Sequence, residues 1–209
     1  MIEATALSRR RHPGAGWVFR SFSHAFEAGA LTALRSDDPA TASGLLRALA
    51  TLDACDAGEL RFDGRALGEG PAAIRRQIGY LGPPAALAAT PDEPLSVYAR
   101  RAFAGRSVDP ETFEGLLEMV ALDGMGARAV STLTPDAQRR LALALTLAHD
   151  PRWLLLDAPG ARLDLSAQDA LFAFLRALCE TGRVVVVAGH DPSFEAAYCD
   201  ATVTVEVPR

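Results

Sequence analysis

Apolar positions recur along this 209-residue chain with two different periods, and the chain alternates between them. Leu31 to Leu34 is a short continuous apolar run, the pattern of a buried strand. Ala42, Leu45, Leu46, Leu49 and Leu52 then fall three and four apart, one face of a helix. Ser21 to Phe26 alternates, with Phe22, His24 and Phe26 on one face, so His24 reads as an ordinary sheet residue. Glu59–Phe62 followed by Asp63-Gly64 is a hairpin signal, and Ile78–Leu81 is another strand. Asp109-Pro110-Glu111 opens a helix with Phe113, Leu116, Leu117 and Val120 on its stripe. Thr134-Pro135-Asp136 opens one whose Leu141–Ala148 segment is apolar on every side. Trp153–Leu156 ends in Asp157, a buried strand presenting a carboxylate at its C-terminal end. Ser166 and Asp169 predict a capping box for the helix carrying Leu171, Phe172, Phe174, Leu175 and Leu178. Val184–Ala188 delivers Gly189-His190-Asp191, and Thr202–Val207 alternates like an edge strand. Strands separated by helices predict an α/β sheet with ligands at the strand C-termini.

The stretch from Leu31 to Leu52 has the strand, loop and helix order of a P-loop. A working P-loop needs glycines whose N–H groups face phosphate, a lysine for the β/γ-phosphates and a Ser or Thr for Mg²⁺. Set on the leucines that follow such a motif, Ser36, Pro39 and Thr41 take its glycine positions, Ala42 its lysine, and Ser43 its metal hydroxyl, with Gly44 next. Only Ser43 keeps its chemistry. The chain contains no lysine at all, so no other register supplies one. Asp38-Pro39 instead predicts an N-cap and first-turn pair, which satisfies the helix start without a bound anion. Asp37 and Asp38 would repel an incoming triphosphate.

A 49% hydrophobic, 22% charged composition is that of one well-buried domain with room for a small subdomain. The net charge of −5 argues against a nucleic-acid-binding face, and Arg9-Arg10-Arg11, read as a solvated turn, is too short to reverse that. Cys55, Cys179 and Cys199 have neither CxxC nor His/Cys ligand spacing, so no disulfide framework or zinc site is predicted, in keeping with a reducing compartment. The N-terminus lacks a signal pattern, and no apolar run is long enough to span a bilayer. The loose Ala/Pro-rich segment up to Pro94 marks a subdomain boundary.

In this order, EAGALTAL, LRALATLDACDAGELRFDG, RRQIGYLG, ALDGMGARAVSTL, AQRRLALALTLAHDPRWLLLDAP and VVVVAGHD resemble the nucleotide-binding subunit of an ABC transporter, over nearly the whole chain. The wording is similar to the haem-exporter cassette of cytochrome c maturation. The resemblance implies a P-loop NTPase-like cassette: a mixed, mostly parallel sheet with flanking helices, a core of about 1–82 and 133–209, and a helical subdomain of about 83–132. It places the nucleotide-contacting positions at Ser36, Asp38, Thr41, Ala42, Ser43, Gly44, Asp157 and His190, with Ser43 and Asp157 on Mg²⁺ if Mg-ATP binds. His190 matches the switch histidine and Leu163-Asp164 the D-loop pair; no clear aromatic for adenine stacking precedes the first strand, where Trp17 is the candidate.

The same resemblance exposes three losses beyond the P-loop. The signature LSGGQ corresponds to Leu133-Thr134-Pro135-Asp136-Ala137, without its Ser and both Gly. The Q-loop glutamine aligns with Pro83, and the Walker B glutamate with Ala158, where a methyl group cannot act as a base. The implied function is a catalytically inactive cassette, a scaffold or regulator with a partner cassette, a membrane permease, or both, held at the cytoplasmic face. The alternative is a weak ATP-hydrolysing subunit in which Arg35 or Arg47 replaces the lysine. A soluble interaction module without a transporter reads the same in sequence.

Overall fold

The computed structural model describes residues 1–12, 16–83, 92–103, 108–161, 163–189 and 192–208. They form two compact units, residues 1–83 with 152–209, and residues 84–151. The helix that starts at Thr134 therefore groups with the second unit, which runs past the 83–132 span expected from sequence.

In the first unit, β1 (Ile2–Arg10), β2 (Trp17–Phe26), β4 (Ala57–Phe62) and β5 (Arg65–Ala66) form an antiparallel sheet in the order β2-β1-β4-β5. β3 (Leu31–Arg35), β6 (Ile78–Leu81), β7 (Trp153–Asp157), β8 (Val184–Ala188) and β9 (Ala201–Thr204) form a parallel sheet in the order β6-β7-β8-β3-β9. The mixed sheet expected from sequence thus separates into one sheet of each kind. β7 and β8 are buried at every position, which is why their sequences run apolar without alternation. α1 (Pro39–Leu49) packs on β3, β7 and β8, and also on β2 of the other sheet. Its Leu45, Leu46 and Leu49 join Phe19, Phe26, Phe62 and Trp153 in one core. α2 (Pro71–Arg76), α6 (Leu165–Glu180) and α7 (Pro192–Tyr198) complete this unit.

Local sequence accounts for most of the ends. Asp63 and Gly64 both take positive φ between β4 and β5, the condition for a type I′ turn. Asp38 caps α1 by accepting from Ala40 N at 3.0 Å. α6 departs from its expected capping box: Asp164 is the N-cap and accepts from Ala167 N at 2.8 Å, so the helix starts at Leu165 and Ser166 is already inside it. The arginine triplet is likewise no solvated turn. Arg9 and Arg10 end β1, and Arg9 pairs with Asp53 at 3.0 Å. β1 itself escapes the sequence pattern, because its register shifts and the positive φ of Ala6 break the alternation.

The second unit contains α3 (Leu95–Ala102), α4 (Pro110–Met119) and α5 (Pro135–Leu147). Asp109 caps α4 through Thr112 N, and Phe113, Leu116 and Leu117 are the buried stripe read from sequence. The three cysteines are free thiols. Among the described residues there is no group of three or more metal-ligating side chains, and no helix long and apolar enough to cross a membrane.

Candidate functional site

The parallel sheet sets β7, β8 and β3 side by side, so their C-terminal ends share one edge. Asp157 ends β7 and is 3% exposed. Ala158 follows it with φ +48°, a left-handed conformation that returns its N–H to Ala188 O at 2.7 Å. This turn holds the ends of β7 and β8 together: a β-carbon on Gly189 would lie 3.3 Å from Asp157 Oδ1. Tyr80, on neighbouring β6, has its phenol pushed up, first by burial and then by the charge of Asp157. His190, the residue after Gly189, lies outside the described residues, as does the 84–91 stretch of the expected boundary.

At the end of β3 the loop closes on itself. Asp38 N donates to Ser36 Oγ at 3.4 Å, and the Asp38 carboxylate accepts from Ala40 N and from Thr41 Oγ1 at 3.2 Å. Arg11, from the far end of β1, adds its guanidinium to Asp38 Oδ2 at 3.1 Å. These donors, the Ala40 N–H foremost, hold the Asp38 carboxyl below its usual range. Pro39 has no N–H to offer. Thr41 is fully buried and Ala42 is 5% exposed within the core, so the lysine position faces the interior. Ser43 is half-buried on α1. Gly44 is a packing residue, because a β-carbon there would meet Val18 Cγ1 of β2 at 2.5 Å.

The two arginines that sequence offered in place of the lysine are committed elsewhere. Arg35 pairs with Glu195 of α7 at 2.7 Å. Arg47 grips Asp53 through Nε and Nη2 at 2.7 and 2.9 Å. The cation that does reach the loop, Arg11, was not legible: it lies 27 residues from Asp38, and no local pattern joins them. A triphosphate cradle needs free N–H groups and a cation turned to the ligand. Here the cap occupies the N–H of Ala40 and the cation faces the cap, so these residues do not fit the group.

In the second unit, Thr134 accepts from Ala137 N at 3.2 Å as the N-cap of α5, and Asp136 pairs with Arg140 one turn on at 3.0 Å. That helix start too is capped from within the chain.

Against this geometry, residues 19–161 match the family model described as ABC transporter. The chain belongs to the ABC transporter family. Among relatives of this cassette, the Fe(3+) ions import ATP-binding protein FbpC of Streptomyces avermitilis is 35% identical over 170 residues, 80% of this chain and 49% of the relative. The sulfate/thiosulfate import ATP-binding protein CysA of Caulobacter vibrioides is 32% identical over 170 residues, 78% of this chain and 50% of the relative. The chain spans about half the length of these curated relatives. Among solved structures, the dimeric bacterial ABC transporter cassette MJ0796 superposes with a TM-score of 0.83 at 20% identity, covering 100% of this chain and 97% of that one. The ATP-bound bacterial Atm1-family ABC exporter gives 0.84 at 16%, covering 100% and 38%. At such identities the likeness is one of fold, and it agrees with the parallel sheet and flanking helices described above.

Proposed function

We propose that this ABC-family cassette is a pseudo-ATPase, a subunit that keeps the cassette fold and works as scaffold or regulator through protein contacts. The observation that carries the reading is the closed start of α1: Asp38 caps the helix, Arg11 neutralises Asp38, and Ala42 is buried where a lysine would be needed. Ala158, Pro83 and the Thr134–Ala137 segment add independent losses of side-chain chemistry. The partners are a second cassette, a membrane permease, or both, which would hold the chain at the cytoplasmic face. An open cleft of about 600 Å³ between the C-terminal end of α1 and the β4–β5 region supports docking, with Leu52 on its wall 54% exposed. The relatives named above are import proteins, so import is the transport direction to test first. The likeness in wording to a haem exporter has no counterpart among them.

The test is hydrolysis. Purified chain with Mg-ATP should show no turnover above the no-enzyme rate, while copurification with the proteins made beside it should recover a cassette or permease partner. Turnover that Asp157→Asn removes would establish the second reading, a weak ATPase. Asp157 favours that reading, because it stands where the sequence resemblance sets the magnesium aspartate and is buried at a strand end.

A further inference from the structure

The end of the β1–β2 ribbon gathers positive charge on a chain whose net charge is −5. Arg10 and Trp17 are cross-strand partners, and the Arg10 guanidinium lies over the indole at 4.2 Å from the ring centre. Arg20 lies over the same ring system at 5.4 Å. Both arginines are exposed, and neither has an ion pair among the described residues. Beside them, Arg11 carries the Asp38 carboxylate in a pair whose side chains are 51% and 34% exposed. The ribbon below this end is anchored more firmly. Arg9 and Arg47 share Asp53, and Val18 sits hard against Gly44. Three guanidiniums and one flat aromatic ring therefore stand on a fixed support.

We propose that this ribbon end, Arg10, Arg11, Trp17 and Arg20, is a docking surface for an acidic segment of a partner protein, with Asp38 as its resident competitor. The chemistry points to carboxylates. One is already seated on Arg11, guanidinium–carboxylate pairing is strong and directional, and arginine beside tryptophan is the composition of interface hot spots. A nucleic acid fits less well, since it asks for a broad basic stripe and would face the acidic remainder of the chain. An exposed pair such as Arg11–Asp38 is screened by water and weak, so an incoming carboxylate can displace Asp38 from the guanidinium. Asp38 would then remain on the Ala40 N–H, and α1 stays capped. The inference rests on the pseudo-ATPase reading only in taking protein partners as the chain's purpose. Hydrolysis by the wild-type chain would end that reading and leave this surface standing.

The experiment is fluorescence anisotropy of a labelled peptide of alternating Asp and Glu with the full chain, at low salt and at high salt. Saturable binding that weakens with salt is expected. Asp38→Asn keeps a good N-cap but removes the competing charge, and should tighten binding by up to about fivefold. Reversing the patch with Arg10→Glu and Arg20→Glu should weaken it more than about tenfold. Arg10→Ala with Arg20→Ala should weaken it too, and serves if the reversed chain does not fold. The proposal is overturned if the peptide does not saturate, or if both paired variants bind as the wild type does. It is equally overturned if an oligothymidylate or an anionic phospholipid vesicle binds more tightly than the peptide.

Discussion

At Gly44 there is no room for a side chain, because the nearest atom is a γ-carbon of stiff, β-branched Val18. Gly44→Ala should therefore destabilise the fold by roughly 1–3 kcal/mol, read as a lower denaturation midpoint with unchanged m-value. A wild-type midpoint would show that β2 yields at Val18. Asp53 makes a pH prediction. Hydrogen bonds from Arg47 foremost hold its carboxyl below the usual range. A depressed folded-state pKa stabilises above the unfolded value of about 3.9, and that contribution is lost as pH falls through the folded value. Asp53→Asn should accordingly cost about 1 kcal/mol at neutral pH, with the difference from wild type fading in acid. A gap that persists in strong acid would mean that packing, rather than charge, sets the effect. Much of this residue chemistry was legible: Asp38 and Asp109 as caps follow from Asp-Pro pairs, and Ala42 from its place after the loop. The role of Arg11, the Arg9–Asp53–Arg47 cluster and the Gly44–Val18 contact were not, because each joins segments that only the folded sheet brings together.

Among the elements, two helix starts carry the pseudo-ATPase proposal. α1 and α5 begin at the two segments that the sequence resemblance assigns to phosphate contact, and both begin with a side-chain cap followed by proline. In each, the cap's side chain answers one N–H of the first turn. Thr134→Ala should destabilise the protein by about 1 kcal/mol in thermal or denaturant unfolding, as for any working N-cap. An unchanged melting temperature would mean that the helix start is held by other contacts. Strands were easier to read than their order. The apolar runs of β3, β7 and β8 announce themselves, but β1 is hidden by its bulges, and α6 starts before the capping box its sequence offers. Periodicity reports which face is buried. It does not report a register shift or which of two nearby acids reaches the free N–H.

For the whole molecule, two sheets share the α1 core, one sheet edge ends in Asp157 and Gly189, and the pseudo-ATPase proposal rests on the self-capped start of α1. Fold class followed from alternating strands and helices, since the same burial that makes a cassette makes that pattern. Function did not follow from fold, because it resides in a few polar groups the core does not require. The most direct measurement is Mg-ATP binding to the purified chain by titration calorimetry, at concentrations that detect sub-millimolar affinity. The closed α1 start predicts no binding heat, in wild type and Asp157→Asn alike. Saturable binding that Asp157→Asn abolishes would contradict it, and would show that the cassette still holds nucleotide through its remaining Walker B aspartate.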